Sequence, residues 1–242
     1  MEIAIPYEVG GRRFEGKLVY DESVKRPRPA VLVQPDWAGV CPATTEHAWH
    51  VAGKDYVVFM ADMFGEGYGA KPKTLQDLMQ SVKSVRENLP FVIEGASKAL
   101  DVMLTEGTKR GLVDASKAAS VGYCAGGGMA LEHARTGADL KAVITFHVTN
   151  PNPFAAGTPC KVKGRVLTVH GSVDPVTPRP MIHALEDELT AAGAYWETVM
   201  FAGAVHSFTD PGANTPGRNM FDERLMKKSY ALMRTFLEES FA

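Results

Sequence analysis

Cysteine is scarce in this chain. Its 242 residues hold three, Cys41, Cys124 and Cys160. Their spacing offers neither a disulfide framework nor a zinc site. An excess of one charge is also lacking. Lys and Arg number 26 against 28 Asp and Glu, a net charge of −2, and no basic run occurs. A nucleic-acid partner is thereby disfavoured. No apolar run approaches the length that spans a membrane. The stretch from Met1 to Glu8 shows neither a basic n-region nor an apolar h-region. The expectation is a reducing cytoplasm, which would keep a reactive thiol alive, with no membrane association.

What is present suits a sizeable core. Hydrophobic residues make up 45% of the chain, enough for one globular α/β domain over residues 1–242, with two small ones as the alternative. Glu2 to Val9 and Arg13 to Tyr20 alternate around Gly10-Gly11 and predict a β-hairpin. Ala30 to Gln34, Tyr56 to Met60, Ala118 to Val121, Ala142 to Phe146, Arg165 to His170 and Tyr195 to Phe201 read as strands. Thr44 to Gly53 (capped by Thr44 or Thr45), Thr74 to Asn88, Phe91 to Thr105, Pro180 to Ala192 and Phe221 to Glu239 read as helices. In Phe91 to Thr105, the stripe Val92, Ala96, Ala99, Leu100 and Met103 is read as core packing. Alternating strands and helices imply a mostly parallel central sheet with helices on both faces.

The chain is organised around Gly122-Tyr123-Cys124-Ala125-Gly126-Gly127-Gly128. A strand runs into a Gly-x-Cys-x-Gly turn, and the helix-forming Met129 to Ala134 follows. This is the nucleophile elbow of α/β-hydrolases with Cys in place of Ser. Glycines at 122 and 126 let strand and helix pass closely, while the helix N-terminus favours negative charge on the sulfur. A buried structural Cys in a glycine-rich turn is the bland alternative. A dinucleotide-binding loop fits less well, because Gly122, Gly126 and Gly128 miss the Gly-x-Gly-x-x-Gly spacing.

Two later loops decide between these readings. The strand ending at His170 is followed by Gly171-Ser172-Val173-Asp174-Pro175, and the strand ending at Phe201 by Ala202-Gly203-Ala204-Val205-His206. In the elbow fold the order is nucleophile, acid, base. Asp174 and His206 could each be ordinary loop residues. In this order, at the carboxyl ends of successive strands, they read as the acid and base for Cys124. His206 would handle the Cys124 proton, and Asp174 would fix its tautomer. The oxyanion hole is expected from the backbone N–H groups of Ala125 and Trp37. Trp37 and Phe208 adjoin site residues and are candidate pocket walls, with Tyr68 and Phe154 added from loop position. His47 and His50 are three apart on a helix, but no further ligand pattern joins them, so no metal or other cofactor is expected. Cys41 lacks an elbow and reads as structural.

At these residues the chain resembles the dienelactone hydrolase family of α/β-hydrolases. The match includes Gly122 to Gly127, the Asp174 loop with Gly171 and Pro175, Gly203 to Phe208, Gln34 to Val40 and Ala61 to Gly65. The resemblance implies an α/β-hydrolase fold, a Cys124–Asp174–His206 triad, no metal, and cleavage of a small ester or lactone through a thioester. It also exposes two departures. Dienelactone-cleaving members have Glu where Asp36 stands beside the nucleophile. They place a carboxylate-binding Arg four residues after the catalytic His, where this chain has Asp210. Arg86 is a candidate replacement, with a solvated helix arginine as its bland reading. These departures argue against an anionic dienelactone more than against hydrolysis. A relaxed esterase, a thiol redox sensor and a silent binding module are the competing readings. The expected partner is a small-molecule ester or lactone, and the expected state a monomer, with a weak dimer as the alternative.

Overall fold

The computed structural model describes residues 1–151 and 159–242. The chain forms two compact units, Met1–Ser120 and Val121–Ala242. Phe154, expected in a pocket wall, lies outside the described residues.

The first unit opens with the predicted hairpin. Strands β1 (Glu2–Val9) and β2 (Arg12–Val19) pair antiparallel, with Glu2 opposite Val19 and Val9 opposite Arg12. The turn works because Gly10 and Gly11 both take positive φ, 53° and 74°, which matches the twist of a two-residue connection. Ile5, Tyr7 and Val9 point inward at every second position. Strands β3 (Arg28–Gln34) and β4 (Val57–Met60) pair in parallel, and β2 pairs antiparallel with β4. Their Val, Leu, Phe and Met side chains are buried, as expected of strands covered on both sides.

Helices α1 (Pro42–Ala52), α2 (Leu75–Arg86) and α3 (Leu89–Lys109) complete this unit. Helix α1 starts earlier than the threonines suggested, with Cys41 at its N-cap position and Pro42 in the first turn. Pro is favoured there because its missing N–H needs no partner. Thr44 serves one turn in, accepting from the Cys41 N–H at 3.0 Å. On α3 the predicted stripe of Val92, Ala96, Ala99, Leu100 and Met103 is buried.

Strand β5 (Val113–Tyr123) runs from the first unit into the second. The second unit continues with α4 (Ala125–Arg135), β6 (Ala142–Phe146), β7 (Arg165–Gly171), α5 (Arg179–Ala191) and β8 (Trp196–Phe201). A short pair, β9 (Asn214–Thr215) and β10 (Asn219–Met220), precedes α6 (Glu223–Phe241). Strands β6, β7 and β8 pair in parallel in that order. Consecutive parallel strands carry their carboxyl ends to the same edge, and that places the loops after β6, β7 and β8 together.

Helix α4 begins at Ala125, four residues before its expected start. Three glycines therefore occupy its first turn, against their propensity. Packing overrides propensity here. A Cβ on Gly127 would stand 3.1 Å from Val148, and one on Gly128 2.5 Å from the Thr149 carbonyl oxygen. At its other end α4 buries Arg135, which donates at 2.7 Å to Glu132 and through Nε and Nη2 at 2.7 and 2.6 Å to Glu188 on α5. It also reaches the Pro151 carbonyl. A buried guanidinium is tolerable only when its donors are occupied in this way.

Candidate active site

Cys124 sits between β5 and α4 with φ 52° and ψ −118°. A non-glycine residue in this region stores strain that the surroundings must hold. The surroundings are specific. The Cys124 N–H donates to the Phe146 carbonyl at 3.1 Å, and its carbonyl accepts from the N–H groups of Gly127 (3.1 Å) and Thr149 (2.9 Å). Gly122 makes the turn possible, since a Cβ there would collide with the Gly126 carbonyl oxygen.

Asp174 lies in the loop after β7 and is buried. Its Oδ1 accepts from the backbone N–H groups of Val176 (2.8 Å) and Thr177 (3.2 Å). That leaves Oδ2 aimed at His206 Nδ1, 2.7 Å away. His206 lies in the loop after β8 and is fixed through its backbone. Its N–H donates to the Arg218 carbonyl, and its own carbonyl accepts from Met220, both at 3.1 Å. The small β9–β10 pair, absent from the sequence reading, thus anchors the histidine as a parallel bridge to Asn219. His206 Nε2 stands 3.1 Å from Cys124 Sγ. The three predicted residues therefore meet in one line.

The electrostatics follow from that line. Burial by itself would lower the His206 pKa. The negative charge on Cys124 and the hydrogen bond to Asp174 override it and raise the value from 6.5 to about 10. The balance favours the protonated ring, which stands between the sulfur on one side and the carboxylate on the other.

Other buried histidines support this arrangement, and neither was singled out in the sequence. His147, with φ 38°, packs edge-on against the His206 ring at 5.1 Å and bonds Thr209 Oγ1 through Nε2 at 2.8 Å. His170 donates from Nε2 to the Thr177 carbonyl at 2.9 Å, within 3.5 Å of Asp174 Oδ2. Burial pushes the His170 pKa down, which favours the neutral donor. Thr149 was missed as well. Its hydroxyl lies 3.3 Å from Cys124 Sγ.

Phe208 corrects an expectation. It is fully buried, edge-on to His147 at 5.1 Å and to Phe201 at 5.6 Å. It braces the histidine from beneath instead of facing a pocket. Asp210 caps its own turn, accepting from the Gly212 N–H at 2.8 Å.

Within the first unit, Asp36 closes the turn after β3, its Oδ1 accepting from the Ala38 N–H at 2.8 Å. The Trp37 carbonyl accepts from Tyr68 Oη at 3.0 Å. Tyr68 in turn stacks on Phe64 with ring centroids 4.4 Å apart. Tyr68 lines a cleft of about 230 Å³ together with Arg12, Phe64, Ser84, Asn88 and Phe91. Arg86, in the last turn of α2, is half-buried, and burial lowers its pKa. Among the described residues no group of three or more His, Cys, Asp or Glu is placed to hold a metal. No described helix is long and apolar enough to cross a membrane.

The sequence matches the dienelactone hydrolase family over residues 14–241. A solved dienelactone hydrolase-like promiscuous phosphotriesterase from metagenomic libraries is 31% identical. It superposes with a TM-score of 0.90, covering 100% of this chain and 99% of that one. An uncharacterized protein of Caenorhabditis elegans is 31% identical over 135 residues, 54% of this chain and 84% of its own. A Saccharolobus solfataricus protein provisionally named a carboxymethylenebutenolidase is 30% identical over 149 residues, 60% of this chain; the match spans 51% of that relative. With the elbow, the parallel strands and a family match from residue 14 to residue 241, the chain belongs to the dienelactone hydrolase family and has its α/β-hydrolase fold.

Proposed function

We propose that this protein hydrolyses small carboxylic esters or lactones through a thioester on Cys124, as a single domain over residues 1–242. The observation that carries the reading is the relay of 3.1 Å from Cys124 Sγ to His206 Nε2 and 2.7 Å from His206 Nδ1 to Asp174. The thiolate attacks the carbonyl carbon. Backbone N–H groups of Ala125 and Trp37 stabilise the oxyanion, each supplying about 3 kcal/mol in the transition state. Ala125 is the first residue of α4, so its N–H has no acceptor one turn earlier in the helix. The C–O bond breaks, and the His206 imidazolium protonates the leaving alkoxide. Neutral His206 then takes a proton from water, whose oxygen attacks the thioester, and the thiolate departs. Asp174 keeps His206 oriented throughout, and Asp36 supports the nucleophile's surroundings.

The substrate is small, and we favour a neutral one. Asp210 stands where an anionic dienelactone would need a cation. Tyr68, Arg86 and the Phe154 region remain candidates for the pocket. A second reading is favoured by the relative described as a promiscuous phosphotriesterase. The same thiolate would attack phosphorus in an activated triester and expel its alkoxide or aryloxide, and water would then displace the thiolate from phosphorus. We further infer a monomer in a reducing cytoplasm, consistent with Cys41, Cys124 and Cys160 all being free thiols.

The test is turnover of a neutral p-nitrophenyl ester, a carboxylate-bearing dienelactone and a phosphotriester by wild type and Cys124→Ala. The proposal requires that the neutral ester be cleaved by wild type and that the variant lose it by about 10³-fold or more. Equal rates in the two proteins would defeat the thioester mechanism. Absence of turnover in wild type, with rapid reversible peroxide modification of Cys124, would favour the redox-sensor reading.

A further inference from the structure

The hydroxyl of Thr149 lies against the reacting atoms. Its Oγ1 is 3.3 Å from Cys124 Sγ and 3.5 Å from His206 Nε2. The backbone fixes this position twice over. The Thr149 N–H donates to the Cys124 carbonyl at 2.9 Å. Its own carbonyl oxygen fits against Gly128, where a Cβ would come within 2.5 Å. The flanking residues His147 and Asn150 take φ 38° and 53°. The loop after β6 therefore bends sharply on either side of Val148-Thr149, and the buried Val148 anchors it.

The direction of the hydroxyl proton follows from the neighbouring charges. In the ion-paired state from which the proposed thioester mechanism starts, His206 has a hydrogen on each ring nitrogen, so its Nε2 donates and cannot accept. Of the two reacting atoms beside Oγ1, only the sulfur is an acceptor. We infer that Thr149 is a further catalytic residue, whose hydroxyl is a second hydrogen-bond donor to the Cys124 thiolate beside His206. The sulfur is thereby held between two donors and kept from wandering off the attack line.

The role changes along the reaction, and this part rests on the thioester mechanism proposed above. Once the S–C bond has formed, the sulfur carries no charge and is a poor acceptor. The Thr149 hydroxyl is then released beside Nε2, where the hydrolytic water must stand to lose its proton. Donation from Thr149 to that water would orient it. The water proton goes to Nε2, the water oxygen bonds to the acyl carbon, and the C–S electron pair returns to sulfur. The thiolate regains both donors.

The experiment compares wild type, Thr149→Val and Thr149→Ser by alkylation of Cys124 with iodoacetamide across pH. Cys41 and Cys160 are first replaced by Ser in all three proteins, and far-ultraviolet circular dichroism confirms the fold. Valine keeps the shape and removes the donor. A hydrogen bond to an anion is lost, so the acid limb of the alkylation profile moves to about tenfold lower proton concentration in Thr149→Val. Thr149→Ser keeps the donor and restores the wild-type profile. A valine profile that overlays wild type overturns the inference, as does a serine profile displaced equally with valine, which would mark a packing role. Should valine fail to fold, Thr149→Ala with the serine variant carries the same comparison. Alkylation needs no ester, so a failed hydrolase reading leaves this result readable. Where ester turnover exists, a slowed deacylation phase in Thr149→Val with an intact acylation burst is the matching kinetic outcome.

Discussion

His206 Nδ1 and Asp174 Oδ2 lie 2.7 Å apart, both in side chains that solvent scarcely reaches. Asp174 cannot turn away, because its other oxygen is held by two backbone N–H groups. The carboxylate is thus a fixed acceptor that selects the ring nitrogen facing it.

Replacing Asp174 by Asn tests this. The amide offers a donor where His206 also needs to donate, so the ring adopts the wrong tautomer. We expect kcat to fall about 10³–10⁴-fold with little change in KM. Nuclear magnetic resonance of the His206 ring should report an altered protonation pattern. Unchanged kcat would mean that Asp174 serves only its own loop.

The His206–Cys124 pair makes a second prediction about pH. The folded His206 pKa is raised to about 10 from 6.5. A raised pKa favours the protonated folded state. This contribution to stability is fully present below 6.5 and is lost as pH rises through about 10. In Cys124→Ala the largest raising influence disappears and burial acts with less opposition. The ring titration should therefore move down from about 10. A ring that titrates alike in both proteins would contradict the ion pair.

Gly122 gives a stability prediction. In Gly122→Ala the new Cβ meets the Gly126 carbonyl oxygen and the Gly127 Cα. Both are backbone atoms of the elbow and cannot swing aside. We expect a loss of about 3 kcal/mol or more, a fall in melting temperature of about 10 °C, and reduced turnover in what remains folded. Differential scanning calorimetry checks it. A wild-type melting temperature would show that the elbow relaxes freely.

His47 provides an acid-stability prediction away from the site. It is buried in α1, and burial, with a smaller effect from His50, lowers its pKa to about 4. A lowered pKa favours the neutral folded state. Stability is present above the unfolded value of 6.5 and is lost as pH falls towards about 4. The loss amounts to roughly 3 kcal/mol. Urea unfolding between these limits should show wild type weakening by that amount relative to His47→Gln. Parallel pH profiles for the two proteins would place His47 in contact with water.

The sequence by itself determined the framework. The glycines around Cys124 permit the sharp strand-to-helix turn that a residue with a Cβ at position 122 could not make. The alternation in β1 and β2, the apolar runs of β3 and β4, and the stripe on α3 are local periodicities that survive folding. Asp174 and His206 were legible because each follows a strand of its own, and parallel strands deliver their following loops to one edge.

The tertiary structure decided what local pattern cannot encode. Thr149 looks like any loop threonine until a bend between His147 and Asn150 brings its hydroxyl to the sulfur. Phe208 reads as a pocket aromatic until His147 and Phe201 enclose it. The β9–β10 pair is too short for periodicity, yet it clamps His206 from both backbone sides. The charge on His206 likewise depends on groups 82 and 32 residues away in sequence. Coulombic and hydrogen-bond energies depend on distance in space, which the chain acquires only when it folds.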